Sequence, residues 1–279
     1  MDDLSARRSV AEELAVAAGR ITLEHYISPT LVAERKGDNS PVTVADRAAE
    51  QFLRKELTAR FPGDGILGEE FGETPGTTGY RWILDPIDGT KSFIVGVPLY
   101  SVLIGLERAD TGDVAVAPPE SRRSVLGVVH IPATGETVSA SVGGGAAYVD
   151  PRGNRRPARV SDRTELAEAV FLTTQIDRFA KRNVGPALDH FVNTAYIART
   201  WGDAYGYLLV ATGRADIMVD PIMSAWDAAP LLTILEEAGG RFTDWQGRAT
   251  IHGGDGIATN GHLHPLVLEK LRGATAAKR

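Results

Sequence analysis

The chain of 279 residues contains no cysteine. That absence excludes disulfides, thiolate nucleophiles, iron–sulfur clusters and cysteine-ligated zinc together. Any metal must therefore sit on oxygen or imidazole. No stretch approaches the roughly 18–20 consecutive apolar residues that cross a bilayer; the longest apolar runs are strand-like pieces such as Ser101–Leu106. The segment Met1–Ala15 is charged throughout and has neither the apolar run nor the small-residue cleavage site of a secretory signal. Positive charge is not in excess, since 30 Lys and Arg stand against 36 Asp and Glu for a net charge of -6, and the arginines form no block. A sequence-independent grip on nucleic acid needs such an excess. A soluble cytoplasmic protein is expected, with no nucleic acid and no membrane among its partners.

The composition that remains, 43% hydrophobic and 24% charged, is that of an ordinary globular chain. Its length suits one large domain or two intimate halves. Leu4, Val10, Leu14, Ala17 and Ile21 recur at helical spacing and predict an opening amphipathic helix from Leu4 to about Ile27. A second helix follows Asp46 and ends at Phe61 before Pro62-Gly63. Tyr100–Glu107, Ser124–Ile131, Glu136–Ser141 and Ala146–Asp150 have β composition and predict an antiparallel sheet, interrupted by a polar insertion from Arg108 to Arg123. In the second half, helices at Ile176–Arg182, Asp203–Thr212 and Ala225–Ala238 alternate with strands at Ile217–Val219, Arg241–Thr243 and Gly256–Thr259. The fold class is layered α/β. Two halves, 1–140 and 141–279, are expected to form one compact unit.

The segment Trp82–Phe93 carries the clearest chemistry. An apolar strand delivers Asp85, Pro86 forces a turn, Asp88 follows three residues on, and Gly89-Thr90 open a helix. Two carboxylates on a tight turn can share hard divalent cations, and amides at a helix start can hold an anion. Carboxylates alone repel a phosphate, so the two roles are compatible only with a cation between them. Taken singly, these residues have blander readings. Asp-Pro and Asp-Gly are common turns, and Asp88, Asp203 and Asp227 can each serve as a helix cap. Glu69-Glu70 can be a solvated acidic pair, while Lys36 and Asp46 can be ordinary surface residues. His262 and His264 form an HxH that reads as surface or capping rather than metal-binding. Gly143-Gly144-Gly145 lacks the setting of a phosphate loop and reads as a turn.

The order in which these pieces occur resembles the inositol monophosphatase family of Mg²⁺-dependent, lithium-sensitive phosphatases. Gly68-Glu69-Glu70, Asp85-Pro86-Ile87-Asp88-Gly89-Thr90 and Trp226-Asp227-Ala228-Ala229-Pro230 carry the resemblance over nearly the whole chain. Lys36, the Ser40–Asp46 segment and Glu237–Gly240 support it. The resemblance implies an αβαβα sandwich, a homodimer and two or three Mg²⁺ ions. Glu69, Asp85 and the Ile87 carbonyl would hold the first ion, Asp85, Asp88 and Asp227 the second, and Glu69 with waters a weaker third. Thr90, hydrogen-bonded to Asp46, would orient or deprotonate the attacking water, and Lys36 would be a supporting charge. Substrate would lie against Asp88, Gly89, Thr90, Asp203, Asp220 and Asp227. Arg199–Tyr207, with its Trp-Gly-Asp-Ala-Tyr-Gly core, is similar to the histidinol-phosphatase branch, and Lys91-Ser92-Phe93 replaces the Thr-Asn-Phe usual in inositol-specific members. The expected substrate is therefore a small phosphate ester, L-histidinol phosphate before inositol 1-phosphate or a sugar phosphate. A non-catalytic homologue is disfavoured because every metal and water-activating position is present.

Overall fold

A computed structural model describes residues 3–29, 31–35, 41–109, 118 and 121–276. Lys36, Ser40 and most of the Arg108–Arg123 insertion lie outside the described residues. The first half runs α1 (Asp3–Leu23), β1 (Glu34–Arg35), β2 (Pro41–Val42), α2 (Val44–Arg60), β3 (Gly65–Gly68), β4 (Gly72–Thr74), β5 (Tyr80–Asp88), α3 (Thr90–Ile94), β6 (Ser101–Ala109), β7 (Arg122–Ile131), β8 (Glu136–Ser141), β9 (Ala146–Val149) and β10 (Arg155–Pro157). The second runs β11 (Val170–Leu172), α4 (Ile176–Lys181), α5 (Gly185–Thr194), β12 (Ile197–Arg199), α6 (Asp203–Ala211), β13 (Ile217–Asp220), α7 (Ala225–Glu237), β14 (Arg241–Thr243), β15 (Gly256–Thr259) and α8 (His264–Ala276). One sheet has eight strands in the order β10-β9-β8-β7-β6-β5-β3-β4, and a second has five in the order β12-β11-β13-β15-β14.

Strand periodicity stacks these elements into five layers. Trp82, Leu84, Ile104 and Val128 turn to one face of the large sheet and bury Leu14 and Ala18 of α1 with Leu53 and Leu57 of α2. Ile83, Leu103 and Val129 turn to the other, against Leu208 of α6 and Leu231 and Leu235 of α7; the same cluster takes in Met218, Phe242 and Ala258 of the small sheet. The remaining face of the small sheet, with Phe171, Ile217, Val219 and Ile257, is closed by Phe179 of α4, Phe191 of α5 and Val267 and Leu271 of α8. The αβαβα sandwich expected from the sequence is thus the observed architecture.

Helix α7 lies directly on the large sheet. A Cβ on Gly127 of β7 would fall inside the Pro230 backbone, and one on Gly105 of β6 would lie 2.6 Å from the Ala229 Cβ. Two glycines therefore let the helix backbone settle onto the strands, and the Ser124 hydroxyl donates to the Ala229 carbonyl at 2.6 Å. This seating fixes the height at which the first turn of α7 meets β5.

Several expectations change in detail. The opening helix ends at Leu23 rather than Ile27, which sits at a φ of +58°. Strands β4, β10, β11 and β12 have three residues each, too few to display an alternating pattern, and α5 opens with Gly185-Pro186. Gly143–Gly145 is a turn, and the amides of Gly143 and Gly145 each donate to the Glu237 carboxylate at 2.8 Å. His264 is neither a surface group nor a side-chain cap. It is buried, with its ring nitrogens 3.0 Å from the Thr243 hydroxyl and 3.1 Å from the Thr259 hydroxyl, which leaves neither for a metal.

His130 of β7 is buried beside Gly19 of α1, with Nδ1 2.8 Å from the Thr137 hydroxyl. Burial lowers its pKa from 6.5 to about 4. The unfolded chain therefore takes up this proton between pH 6.5 and 4 while the folded chain does not, so the contribution to stability is intact above pH 6.5 and lost on acidification. The loss is on the order of 1.4 kcal/mol per pH unit through that window. Melting curves of wild type and His130→Asn should converge as pH falls from 7 to 4.5. A difference independent of pH would show that His130 does not titrate in this way.

Candidate active site

Asp85 and Asp88 are three residues apart, and on a regular strand they would point to opposite faces. Between them the β5–β6 register shifts. Asp85 pairs with Leu103 and Asp88 with Ser101, so three steps along β5 match two along β6. This bulge, at Pro86 which has no N–H to place in the ladder, brings both carboxylates to the α7 side. The Ile87 amide donates to Asp85 Oδ1 at 3.1 Å. Asp88 Oδ2 accepts from the Ser101 hydroxyl at 2.9 Å and from the Ala204 amide, in the first turn of α6, at 2.6 Å. Asp88 thus caps a helix of the opposite half instead of its own.

Glu69 follows β3, which runs parallel to β5, and its amide donates to the Leu84 carbonyl at 3.1 Å. Glu50 of α2 holds this loop by accepting from the amides of Glu70 at 2.8 Å and Phe71 at 3.2 Å. A side chain at Gly68 would collide with that same Glu50 carboxylate, which accounts for the glycine of the Gly-Glu-Glu motif.

Two further acids close the helix starts around the bulge. Asp227 is the third residue of α7, and its Oδ2 accepts from the Ser224 amide at 2.7 Å in a capping box. Asp46 does the same in α2, where its Oδ2 accepts from the amide and hydroxyl of Thr43 at 2.8 and 2.6 Å. Capping occupies one carboxylate oxygen of each and leaves the other, and Asp46, expected as an ordinary surface residue when taken singly, is buried. Asp46 Oδ1 is buried without a hydrogen-bond partner. The expected Thr90–Asp46 hydrogen bond is absent. The Thr90 hydroxyl instead donates to the Ile87 carbonyl at 3.1 Å, although Asp46 Oδ1 is open to accept.

Asp85, Asp88 and Asp227 each place a carboxylate oxygen within 4.8 Å of the others. Burial first, then the charges of Glu69, Asp88 and Asp227, push Asp85 well above the usual carboxylate range. Burial and Asp88 push Asp227 up to about 8, and burial lifts Asp46 to about 6. Carboxylates crowded in this way cannot all be ionised without a cation. An all-oxygen donor set dense in negative charge fits a hard divalent ion such as Mg²⁺.

The opposite wall comes from the small sheet, where β11, β12 and β13 run parallel and present their carboxyl ends to the site. Asp220 ends β13 and accepts from the Thr174 amide at 3.2 Å and the Tyr207 hydroxyl at 3.0 Å. Asp203 opens α6 without capping it and faces Ser92, whose hydroxyl lies 3.4 Å from Oδ2. Burial and the neighbouring Asp220 raise Asp203 to about 7, and burial raises Asp220 to about 6. One cleft of about 330 Å³ contains both walls, and its lining includes Glu69, Asp85, Asp88, Gly89, Thr90, Asp203, Asp220 and Asp227. Thr174, Gln175 and Arg178 also line it and were not foreseen. Lys36 lies outside the described residues. No helix among the described residues is long and apolar enough to cross a membrane.

Residues 3–276 match the sequence profile of the inositol monophosphatase family. A histidinol-phosphatase of Chlorobaculum parvum is 42% identical over 250 residues, 90% of each chain. An inositol-1-monophosphatase of Caulobacter vibrioides is 34% identical over 278 residues, 97% of this chain and 100% of that one. Among solved structures, the extragenic suppressor protein suhB of Bartonella henselae aligns with a TM-score of 0.83 at 30% identity, covering 95% of this chain and 98% of that one.

Proposed function

The chain belongs to the inositol monophosphatase family, and on that premise we propose that it is a Mg²⁺-dependent phosphomonoesterase whose substrate is L-histidinol phosphate. The observation that carries the substrate is the pair Asp203 and Asp220, which adds an anionic wall to a cleft already dense in carboxylates. A polyol offers no positive charge to such a wall, whereas an amino alcohol with an imidazole does. The similarity to a histidinol-phosphatase supports the same choice. The two halves, 1–140 and 141–279, act as one unit in this reading, the first carrying most of the proposed metal ligands and the second Asp227 and the residues that read the leaving group.

Glu69, Asp85 and the Ile87 carbonyl would hold one Mg²⁺, and Asp85, Asp88 and Asp227 a second, with Glu69 and waters offering a weaker third position. When bound, such ions neutralise developing phosphoryl charge and make a coordinated water acidic enough to attack near neutral pH. Thr90 would orient that water once its hydroxyl turns from the Ile87 carbonyl, and the unpartnered Oδ1 of Asp46 would receive a proton on the same side. Lys36 would add a supporting charge. The start of α6, through the Ala204 amide on Asp88, holds one proposed ligand in register with the leaving-group wall. No covalent enzyme intermediate is required, in keeping with a chain that has no cysteine.

A second reading, an inositol-1-phosphate or broad sugar-phosphate phosphatase, is favoured by the similarity to an inositol-1-monophosphatase. Phosphate release from histidinol phosphate and inositol 1-phosphate, measured on wild type, Asp203→Asn and Asp220→Asn, separates the two. Loss of a charge-assisted hydrogen bond, about 1.5–3 kcal/mol, should reduce kcat/KM for histidinol phosphate roughly tenfold to a hundredfold. Inositol 1-phosphate hydrolysis should change far less. A wild type that prefers inositol 1-phosphate would establish the second reading.

A further inference from the structure

Thr174 follows β11 and touches both residues of the leaving-group wall, the Asp220 carboxylate and the Asp203 backbone, without itself carrying charge. Its amide donates to Asp220 Oδ1 at 3.2 Å, and its hydroxyl oxygen accepts from the Asp203 amide at 2.9 Å. Asp203 needs such a tether. It occupies a left-handed backbone conformation at a φ of +52°, which L-residues with a side chain adopt at a cost. The preceding Gly202 packs so closely on Thr174 that a Cβ there would lie 2.5 Å from the Thr174 Cα. The unusual turn aims the Asp203 carboxylate over Gly89, where an added Cβ would lie 2.7 Å from Oδ2.

We propose that Thr174 is a positioning residue for leaving-group selectivity, because its hydroxyl holds the left-handed Asp203 beside Asp220 so that the two carboxylates form a single cation-reading wall. This inference rests on the substrate reading above. Thr174 acts through Asp203 and takes no part in the phosphoryl end of the cleft.

The test compares T174V, which keeps the branched shape and the amide on Asp220 but removes the acceptor for the Asp203 amide, with T174S, which restores it. The readout is the ratio of kcat/KM for L-histidinol phosphate to that for p-nitrophenyl phosphate, an ester whose leaving group has no cation. T174V should lower this ratio about tenfold, mainly through KM for histidinol phosphate, and T174S should bring it back to within about twofold of wild type. If T174V fails to fold, T174A carries the same comparison. Parallel loss on both esters, or a T174S variant as defective as T174V, would mean that Thr174 is merely structural. A wild type with no preference for histidinol phosphate overturns the substrate reading, and the inference with it. A preference that T174V leaves intact overturns the inference alone.

Discussion

Asp227→Asn should lower turnover by at least about a hundredfold, and in metal-free buffer the variant should melt no lower than wild type. The activity falls because an amide cannot supply the negative charge that a divalent ion needs opposite Asp85 and Asp88, so transition-state charge stabilisation is lost. The fold survives because the Asn side-chain oxygen can still accept from the Ser224 amide and complete the first turn of α7. Burial and Asp88 raise Asp227 to about 8, so in the cation-free protein near neutral pH it is largely protonated and a neutral amide takes its place at little cost. Saturating Mg²⁺ should raise the wild-type melting point, by the equivalent of about 2.7 kcal/mol at a hundredfold excess over Kd, and should raise that of the variant much less. Chelation should abolish wild-type activity and Mg²⁺ should restore it. Full activity in excess EDTA would remove the metal from the mechanism.

Gly127→Ala should be among the most destabilising single-methyl additions in the protein. The new Cβ would meet the main chain at Pro230, which cannot rotate aside as a side chain would, so α7 has to lift from the sheet. Overpacking of this kind costs about 3 kcal/mol, a fall in melting temperature of roughly 6–12 °C for a chain of this size. Activity should fall further than the folded fraction accounts for, because lifting α7 also displaces Asp227 from Asp85 and Asp88, and misplacement by about 1 Å can cost a hundredfold. Gly185→Ala, where an added Cβ has nothing within 4 Å, is the matched control. Equal melting points for the two variants would show that the close seating of α7 is not required.

The proposed site acids were legible as a set from the order of their motifs, and local physics accounts for several of them singly. Asp46 and Asp227 complete capping boxes, and Asp85-Pro86-Ile87-Asp88 is a strand interrupted by a residue that cannot join the ladder. The long strands of the large sheet were legible from β composition between turn residues, with Glu136–Ser141 recovered to the residue. What escaped was short or remote. Three residues, Val170–Leu172, carry too little pattern to announce a strand, so Thr174 at its end could not be placed. The left-handed turn at Asp203 had no glycine to mark it, because there the exception is held by a hydrogen bond from 29 positions away. The Ala204–Asp88 bond spans 116 positions and involves a backbone amide, which no residue pattern betrays.

That amide also bears on how such a chain can change its substrate. The acids proposed to hold cations lie on or just after strands of the large sheet and on α7, whereas the leaving-group wall belongs to the end of β13 and the start of α6. Substitutions at the small-sheet ends can redraw what the cleft accepts while the phosphate end continues to work. The liberty stops at the first turn of α6, where the segment that bears Asp203 also grips Asp88 through Ala204. An insertion or a proline there would alter preference and hydrolytic power together. Divergence toward new esters is therefore cheapest at Thr174 and Asp220 and most hazardous around Gly202–Ala204.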